Sequence, residues 1–386
     1  MRIALTDDSI VGHTLVYELR DAEGRVLLGA GETLSARHVE LLRRRGYSTL
    51  PVHDPLAPDV IPTEPVREEL RRQATEAVHS SLQRSERGGL PVTHALRSLV
   101  ATILSEVSAS PHLTCNLIAL RSIENQVFVH SVNVCVYTLF MCPALALDPV
   151  DRRHLGIGAL LHDIGLMFFR DLLDGGQPLA PEPSGRLRGH TSEGFQILRR
   201  QTEVDLRAAH VAYQHHERLD GSGYPRGLRG SQIHPWSQVV GVAAAYDALI
   251  APSPAGSALP PHRALAELKK MADAGWLDPF LVKYFCARVA AYPTGSIVRL
   301  GSGEIAVVTR QDAKDPHLPL VRVVVSADLR LVVPEERQTN GLYEGTSIVE
   351  AMNDYPQEVL RQFAVTESTR PPEEYCDSER AVGSKL

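Results

Sequence analysis

The sequence lacks any sign of a disulfide framework or a thiolate metal site. Its five cysteines (Cys115, Cys135, Cys142, Cys286 and Cys376) are odd in number, scattered, and never spaced as CxxC. They read as free thiols of a reducing compartment. The chain also lacks a positive surplus. Lys and Arg total 40 against 46 Asp and Glu, a net charge of -6, which argues against DNA binding through a basic surface. A local positive pocket for one small anion is compatible with that balance. Uninterrupted apolar runs are missing too. The most apolar stretch, residues 127–147, contains His130, Ser131, Asn133 and Pro143, so it reads as a buried core helix and no membrane span is expected. Asp7 and Asp8 stand where a signal peptide would be apolar, and the expected location is cytoplasmic. A serine nucleophile is equally absent, because Gly221-Ser222-Gly223 has the context of a turn and not of a strand-to-helix elbow.

What is present is enough chain for two or three domains: 386 residues, 44% of them hydrophobic. Residues 1–55 read as a small α+β module. It has a hairpin at 26–28 preceded by the turn Asp21-Ala22-Glu23-Gly24, a helix over 33–45 capped by Ser35 and ended by Gly46, and a strand over 47–52. No catalytic constellation is visible there, which fits a docking or sensory role. Five prolines between residues 51 and 65 mark a linker. It opens a segment, 56–112, whose two helices, divided at 87–91, join a sensor to an effector, form a dimer face or pack on their own domain. Residues 113–291 carry helical periodicity throughout, in segments 113–123, 126–143, 148–163, 190–201, 204–217, 235–251, 261–274 and 277–290. From Gly295 the period becomes two, which predicts a small antiparallel β segment over 292–335. Residues 336–386 read as a C-terminal helix and a disordered tail. The fold class is mainly α, an all-α domain flanked by the two smaller parts.

Sixteen histidines is the unusual count. His130 lies in an apolar helix, His162-Asp163 closes another, His190 opens a third, and His215-His216 end a fourth. Imidazole and carboxylate together suit Zn, Fe or Mn. Adjacent helical residues diverge by about 100°, so His215 and His216 are expected to serve different ions. Asp163 is the natural bridge, and two metals about 3.5–4 Å apart suit phosphate-ester hydrolysis.

His162-Asp163 with upstream His130 resembles the HD superfamily of metal-dependent phosphohydrolases. The run His215-His216-Glu217-Arg218-Leu219-Asp220-Gly221-Ser222-Gly223-Tyr224-Pro225 resembles the signature of its HD-GYP subfamily. The resemblance covers about residues 113–290. It implies an all-α HD domain, two divalent metal ions, Fe or Mn, and hydrolysis of the bacterial second messenger cyclic di-GMP to a linear dinucleotide or GMP. It also implies residue roles. His130, His162 and Asp163 match ligands of a first metal. Asp163, His190 and His215 match ligands of a second, and His216 a further ligand. His162 and Asp163 are the catalytic pair, and Gly223, Tyr224, Pro225, Arg226 and Asp247 are substrate-binding positions.

Four departures from the family pattern accompany the match. Leu166 replaces a lysine, Ala244 replaces an aspartate that would close the first-metal site, Gln126 replaces a glutamate, and Ser253-Pro254-Ala255-Gly256 replaces an Arg-Pro-Tyr-Arg/Lys clamp. With Ala244, a single metal is an alternative to two. Arg226, Arg229 and Arg263 are the candidates to replace the clamp. These losses keep a second function in view, a catalytically degenerate effector that binds a nucleotide or a protein partner, alone or as a homodimer. A hydrolase of another phosphate ester is the third.

Overall fold

The computed structural model describes residues 1–20, 25–47, 49–62, 65–89, 92–109, 126–169, 185–251, 258–312, 315–340 and 345–368. The helix expected over 113–123, the clamp segment 253–256 and the tail beyond 368 lie outside the described residues, as does the 21–24 turn.

Near the N-terminus, β1 (Arg2–Leu5) pairs antiparallel with β4 (Thr49–Val52), and β2 (Leu19–Arg20) with β3 (Val26–Leu28). Helix α1 (Ala36–Arg44) begins at Ser35, whose hydroxyl accepts from His38 N at 3.2 Å. That satisfies one of the unpaired N–H groups of the first turn. Ile10, Leu15, Leu34, Leu42 and Leu50 close a small core of their own.

The helical body consists of α2 (Glu68–Glu86), α3 (His94–Ala109), α4 (Gln126–Met141), α5 (Pro149–Leu160), α6 (His190–Leu198), α7 (Leu206–Gln214), α8 (Pro235–Ile250), α9 (Pro261–Asp273) and α10 (Pro279–Cys286). Four of these start on proline, which is suited to a first helical position whose N–H has no partner anyway. Helices α2 and α3 belong to this body. Leu70, Ala74, Val78, Leu96, Val100 and Ile103 share one core with α4, α5, α7 and α8, so the connecting helices pack on their own domain. Helix α4 is buried on nearly all sides. Residues Gln126–Leu145 are long and apolar enough to cross a membrane, but most of that stretch is buried inside the fold. Small residues permit the tight crossings. A Cβ on Gly156 would meet Val100 at 2.6 Å, and one on Gly158 would meet the Ala208 backbone at 3.1 Å.

After α10 comes a five-stranded antiparallel sheet: β5 (Ile297–Leu300), β6 (Ile305–Arg310), β7 (Leu320–Val325), β8 (Leu331–Gln338) and β9 (Ile348–Met352), in the order β8-β7-β6-β5-β9. The sheet therefore extends past residue 335. The end of β8, Glu335-Glu336-Arg337-Gln338, is a solvated edge without apolar alternation, and so carries no period-two signal. Helix α11 (Gln357–Ser368) follows.

The proline-rich stretch is no free linker in its described part. Ala57 and Val60 are buried in a core with Ile297, Ile305, Val307, Tyr355 and Val359. Asp54, also buried, accepts from Leu56 N at 2.9 Å and from the Tyr355 hydroxyl at 3.1 Å. Arg2 reaches Asp354 at 3.0 Å. The prolines hold an extended strap against the sheet and α11.

Candidate metal centre

Four chain segments converge on one carboxylate. Asp163 follows the end of α5 and precedes a 3-10 turn, Ile164–Phe169. His162 Nε2 lies 3.4 Å from Asp163 Oδ2, while His190 Nε2 and His215 Nε2 lie 3.3 and 3.4 Å from Oδ1. Each ring is oriented from behind. His162 Nδ1–H donates to Ala159 O at 2.7 Å, His190 Nδ1–H to Leu187 O at 2.6 Å, and His215 Nδ1–H to Val211 O and Ala212 O, both at 3.1 Å. With Nδ1 protonated, each Nε2 is left as a lone pair.

The result is an unbalanced polar pocket. His162 Nε2, His190 Nε2, His215 Nε2 and Asp163 Oδ1 are all buried without a hydrogen-bond partner. Acceptors aimed at a carboxylate repel it unless a cation stands among them. Burial drives the His215 pKa down to about 4 and that of His216 well below the usual imidazole range. Both rings are therefore neutral near pH 7 and able to ligate. Burial alone would raise the Asp163 pKa, but the facing His162, His190 and His215 outweigh it and hold this carboxyl well below its ordinary range. His162 goes the other way: burial lowers its pKa, yet Asp163 prevails and raises it.

Two ligand sets share Asp163. One is His130, His162 and Asp163; the other is Asp163, His190, His215 and His216, with candidate atoms within 4.8 Å of one another in each. The residues fit divalent metal: imidazole nitrogens and a carboxylate, buried, unpaired and braced by carbonyls. His216 joins the same set as His215, against the divergence expected from helix geometry. Helix α7 ends at Gln214 and His215 is its C-cap, so the backbone turns between the two rings, whose centroids are 4.0 Å apart.

Glycine closes the assembly. A Cβ on Gly165 would fall 2.0 Å from His190 O, so only glycine lets the turn after Asp163 dock on α6 and bring His190 to the carboxylate.

The loop after His216 is held by Glu217, a residue that sequence reasoning passed over. Its buried carboxylate accepts from Arg226 N and Leu228 N, both at 2.8 Å. A Cβ on Gly223 would approach Arg218 N to 2.3 Å and His216 O to 2.5 Å, which packs the loop against the cluster. Tyr224, joined to Pro225 by a cis peptide, stacks on His216 with ring centroids 4.6 Å apart and planes at 22°. Its hydroxyl is buried without a partner.

The HD domain family model matches residues 114–281. A cyclic di-GMP phosphodiesterase of Pseudomonas aeruginosa is 31% identical over 297 residues, which cover 75% of this chain and 71% of that protein. The chain belongs to the HD-GYP family of HD-domain phosphohydrolases. A cyclic di-GMP phosphodiesterase of Thermotoga maritima is 39% identical over 130 residues, 33% of this chain and 35% of that one. The 3'3'-cGAMP-specific phosphodiesterase 3 of Vibrio cholerae is 36% identical over 142 residues, 36% and 31% of the two chains.

Within this HD-GYP chain, Asp247 is placed differently from the expected substrate contact. It is wholly buried, 0% exposed. Its Oδ2 lies 2.6 Å from His130 Nδ1, and its Oδ1 accepts from Asn133 Nδ2 at 2.9 Å. It braces His130 through Nδ1, one turn from Asn133 on the same face of α4. Leu166 is buried, 2% exposed, in the 3-10 turn, and Gln126 is the first residue of α4. The three arginines named as candidates for the clamp lie on α9 or in the loop after Tyr224. Arg226 is exposed and its charge is felt at His210, that of Arg263 at His262, and the Arg229 side chain packs beside Gly221. Arg188, which sequence reasoning did not single out, has its guanidinium carbon 5.0 Å from the centroid of the Tyr224 ring.

Proposed function

We propose that this protein is a metal-dependent phosphodiesterase that hydrolyses cyclic di-GMP, giving a linear dinucleotide or GMP. The observation that carries the reading is the set of buried Nε2 lone pairs around Asp163, on a chain whose relatives include named cyclic di-GMP phosphodiesterases. His130, His162, Asp163, His190, His215 and His216 would hold divalent metal, which would supply polarisation of a phosphoryl oxygen and a bound water of lowered pKa.

The chain's own residues do the rest. Asp163 bridges the two ligand sets and supplies their shared negative charge. His162, His190 and His215 hold their lone pairs inward because backbone carbonyls fix their tautomers. Asp247 and Asn133 keep His130 turned toward His162, whose ring centroid is 5.2 Å away. Tyr224 and the Glu217-braced loop shield His216 from water on one side. Fe or Mn suits this nitrogen-rich set with one carboxylate. The His130 set has three protein ligands and the His190 set four, so the second fills first.

The three free cysteines among the described residues, Cys135, Cys142 and Cys286, are buried thiols, which fits the cytoplasm where a second messenger is turned over. Ala244, with the Asp247 oxygens engaged by His130 and Asn133, favours one further reading: an effector that binds the nucleotide without turnover, alone or through a protein partner.

The experiment is hydrolysis of cyclic di-GMP and of 3'3'-cGAMP by protein purified under low oxygen, with Fe(II) or Mn(II), beside the Asp163→Ala variant. Cyclic di-GMP cleavage abolished by that substitution supports the enzyme. Tight binding without product supports the effector. Preference for the mixed dinucleotide moves the substrate.

A further inference from the structure

One side of helix α9 closes a cavity that shares no residue with the metal centre. His262, Leu265, Ala266 and Lys269 recur at helical spacing, so they line up along that side. They form a wall of a hollow of about 370 Å³ between the helical body and the C-terminal sheet. Leu318, before β7, and Ile348, in β9, add apolar surface from the sheet. Such a volume suits a small organic molecule.

The charge of this cavity is one-sided. Its lining includes Lys269, His262 and His317 and no carboxylate, on a chain whose net charge is -6. Lys270 pairs with Glu267 at 2.6 Å, whereas Lys269 has no ion-pair partner among the described residues. His262 stacks on Tyr292, with ring centroids 5.2 Å apart and planes at 23°. Its Nδ1 is buried without a hydrogen-bond partner, and burial with the nearby Arg263 charge lowers its pKa, so the ring is neutral near pH 7. His317 and Thr339 are already engaged: Nε2–H donates to Cys286 O at 2.8 Å and the hydroxyl to Pro319 O at 2.7 Å. The two unsatisfied groups, Lys269 and His262, stand seven residues apart on α9, about 10 Å along its axis. An inorganic ion reaches one of them. A molecule with an anionic head and a flat body reaches both.

We propose that this cavity binds a small organic anion, with one phosphate or carboxylate head against Lys269 and a flat ring beside the His262–Tyr292 pair. The site is separate from the Asp163 cluster and does not depend on what that cluster hydrolyses.

Guanosine monophosphate and indole-3-carboxylate carry the two heads on a flat ring, and inorganic phosphate carries a head alone. Each is titrated calorimetrically into the metal-loaded full chain and into Asp163→Ala, which lacks the carboxylate shared by the two metal-ligand sets. The expected result is saturable binding of at least one ring-bearing probe, equal in both proteins, with phosphate weaker by roughly tenfold or more. Which of the two binds identifies the head. Lys269→Met removes the charge-assisted contact and should weaken binding roughly ten- to hundredfold. Ala266→Phe fills the cavity without changing its charge and should abolish binding. Both positions are exposed, and both variants should keep wild-type metal content; either decides alone if the other unfolds. Failure of both ring-bearing probes to bind overturns the proposal, as does wild-type affinity in Lys269→Met or in Ala266→Phe. Phosphate bound as tightly as the ring-bearing probes also overturns it, and so does binding that disappears in Asp163→Ala, which would belong to the metal cluster.

Discussion

At the scale of single residues, the cluster of candidate ligands was legible in the sequence and its supports were not. A histidine inside an apolar helix, or beside an aspartate at a helix end, is costly unless it is paired, so His130, His162, Asp163, His190, His215 and His216 stood out. Glu217 carries no such signal, and Asn133 shows only that it needs a partner, not which one. They act through hydrogen bonds that exist only once α4 meets α8 and the 217–228 loop has closed. Asp247 was legible as important, but its contacts with His130 and Asn133 were not, since sequence spacing does not show that α8 meets α4 there. As a brace, Asp247 predicts that Asp247→Asn weakens metal binding about 10- to 100-fold, seen first in the His130 set, with substrate affinity altered only in proportion to metal loss. Titration of stripped protein with Mn(II), followed by counting bound metal, measures this. At Gly165, any side chain collides with His190 O. Gly165→Ala should lower stability by about 1–3 kcal/mol, read from urea midpoints, and should reduce metal uptake in parallel because His190 is pushed from Asp163.

Among the elements, the helices of the described HD body fall close to the apolar periodicity, with ends shorter by a few residues. Propensity and capping explain the agreement, and fraying of terminal turns explains the difference. The sheet was read short because an edge strand shows no alternation. Helix α7, which delivers His215, depends on one small cluster. Asp205 caps it by accepting from Arg207 N at 2.8 Å, and Arg207 also pairs with Asp151 of α5 at 2.7 Å while lying over Trp236 of α8. The Arg207 side chain, bonded to the Asp205 carboxylate, brings its pKa down to about 2. A depressed carboxyl stabilises above its unfolded pKa, and that stabilisation is lost as pH falls through the folded one. Asp205→Ala should therefore cost about 1–2 kcal/mol at pH 7. The difference from wild type should shrink as pH falls from about 4 toward 2. Urea midpoints across that range check the sign.

Over the whole molecule, the described residues form one core near the N-terminus, one in the helical body and two about the C-terminal sheet, and the proline-rich stretch does not act as a spacer. Prolines signal extended backbone without saying whether that backbone is free or packed. Here residues 54–60 lie on the C-terminal sheet, and Tyr355 with Asp54 fastens α11's approach to the strap. Tyr355→Phe leaves the buried Asp54 without the hydroxyl. It should cost about 1–3 kcal/mol, measured as a drop in Tm, and leave turnover at the distant metal cluster unchanged.

The central claim is that four chain segments gather lone pairs around Asp163 in order to hold metal that cleaves a cyclic dinucleotide. The most direct measurement is product formation from cyclic di-GMP by metal-stripped protein titrated with Fe(II) or Mn(II), with bound metal counted at every point. The account predicts no product from the stripped protein and linear dinucleotide or GMP appearing as metal fills the cluster. Asp163→Ala should neither bind the metal nor turn over. Full metal occupancy with bound cyclic di-GMP and no product would contradict it.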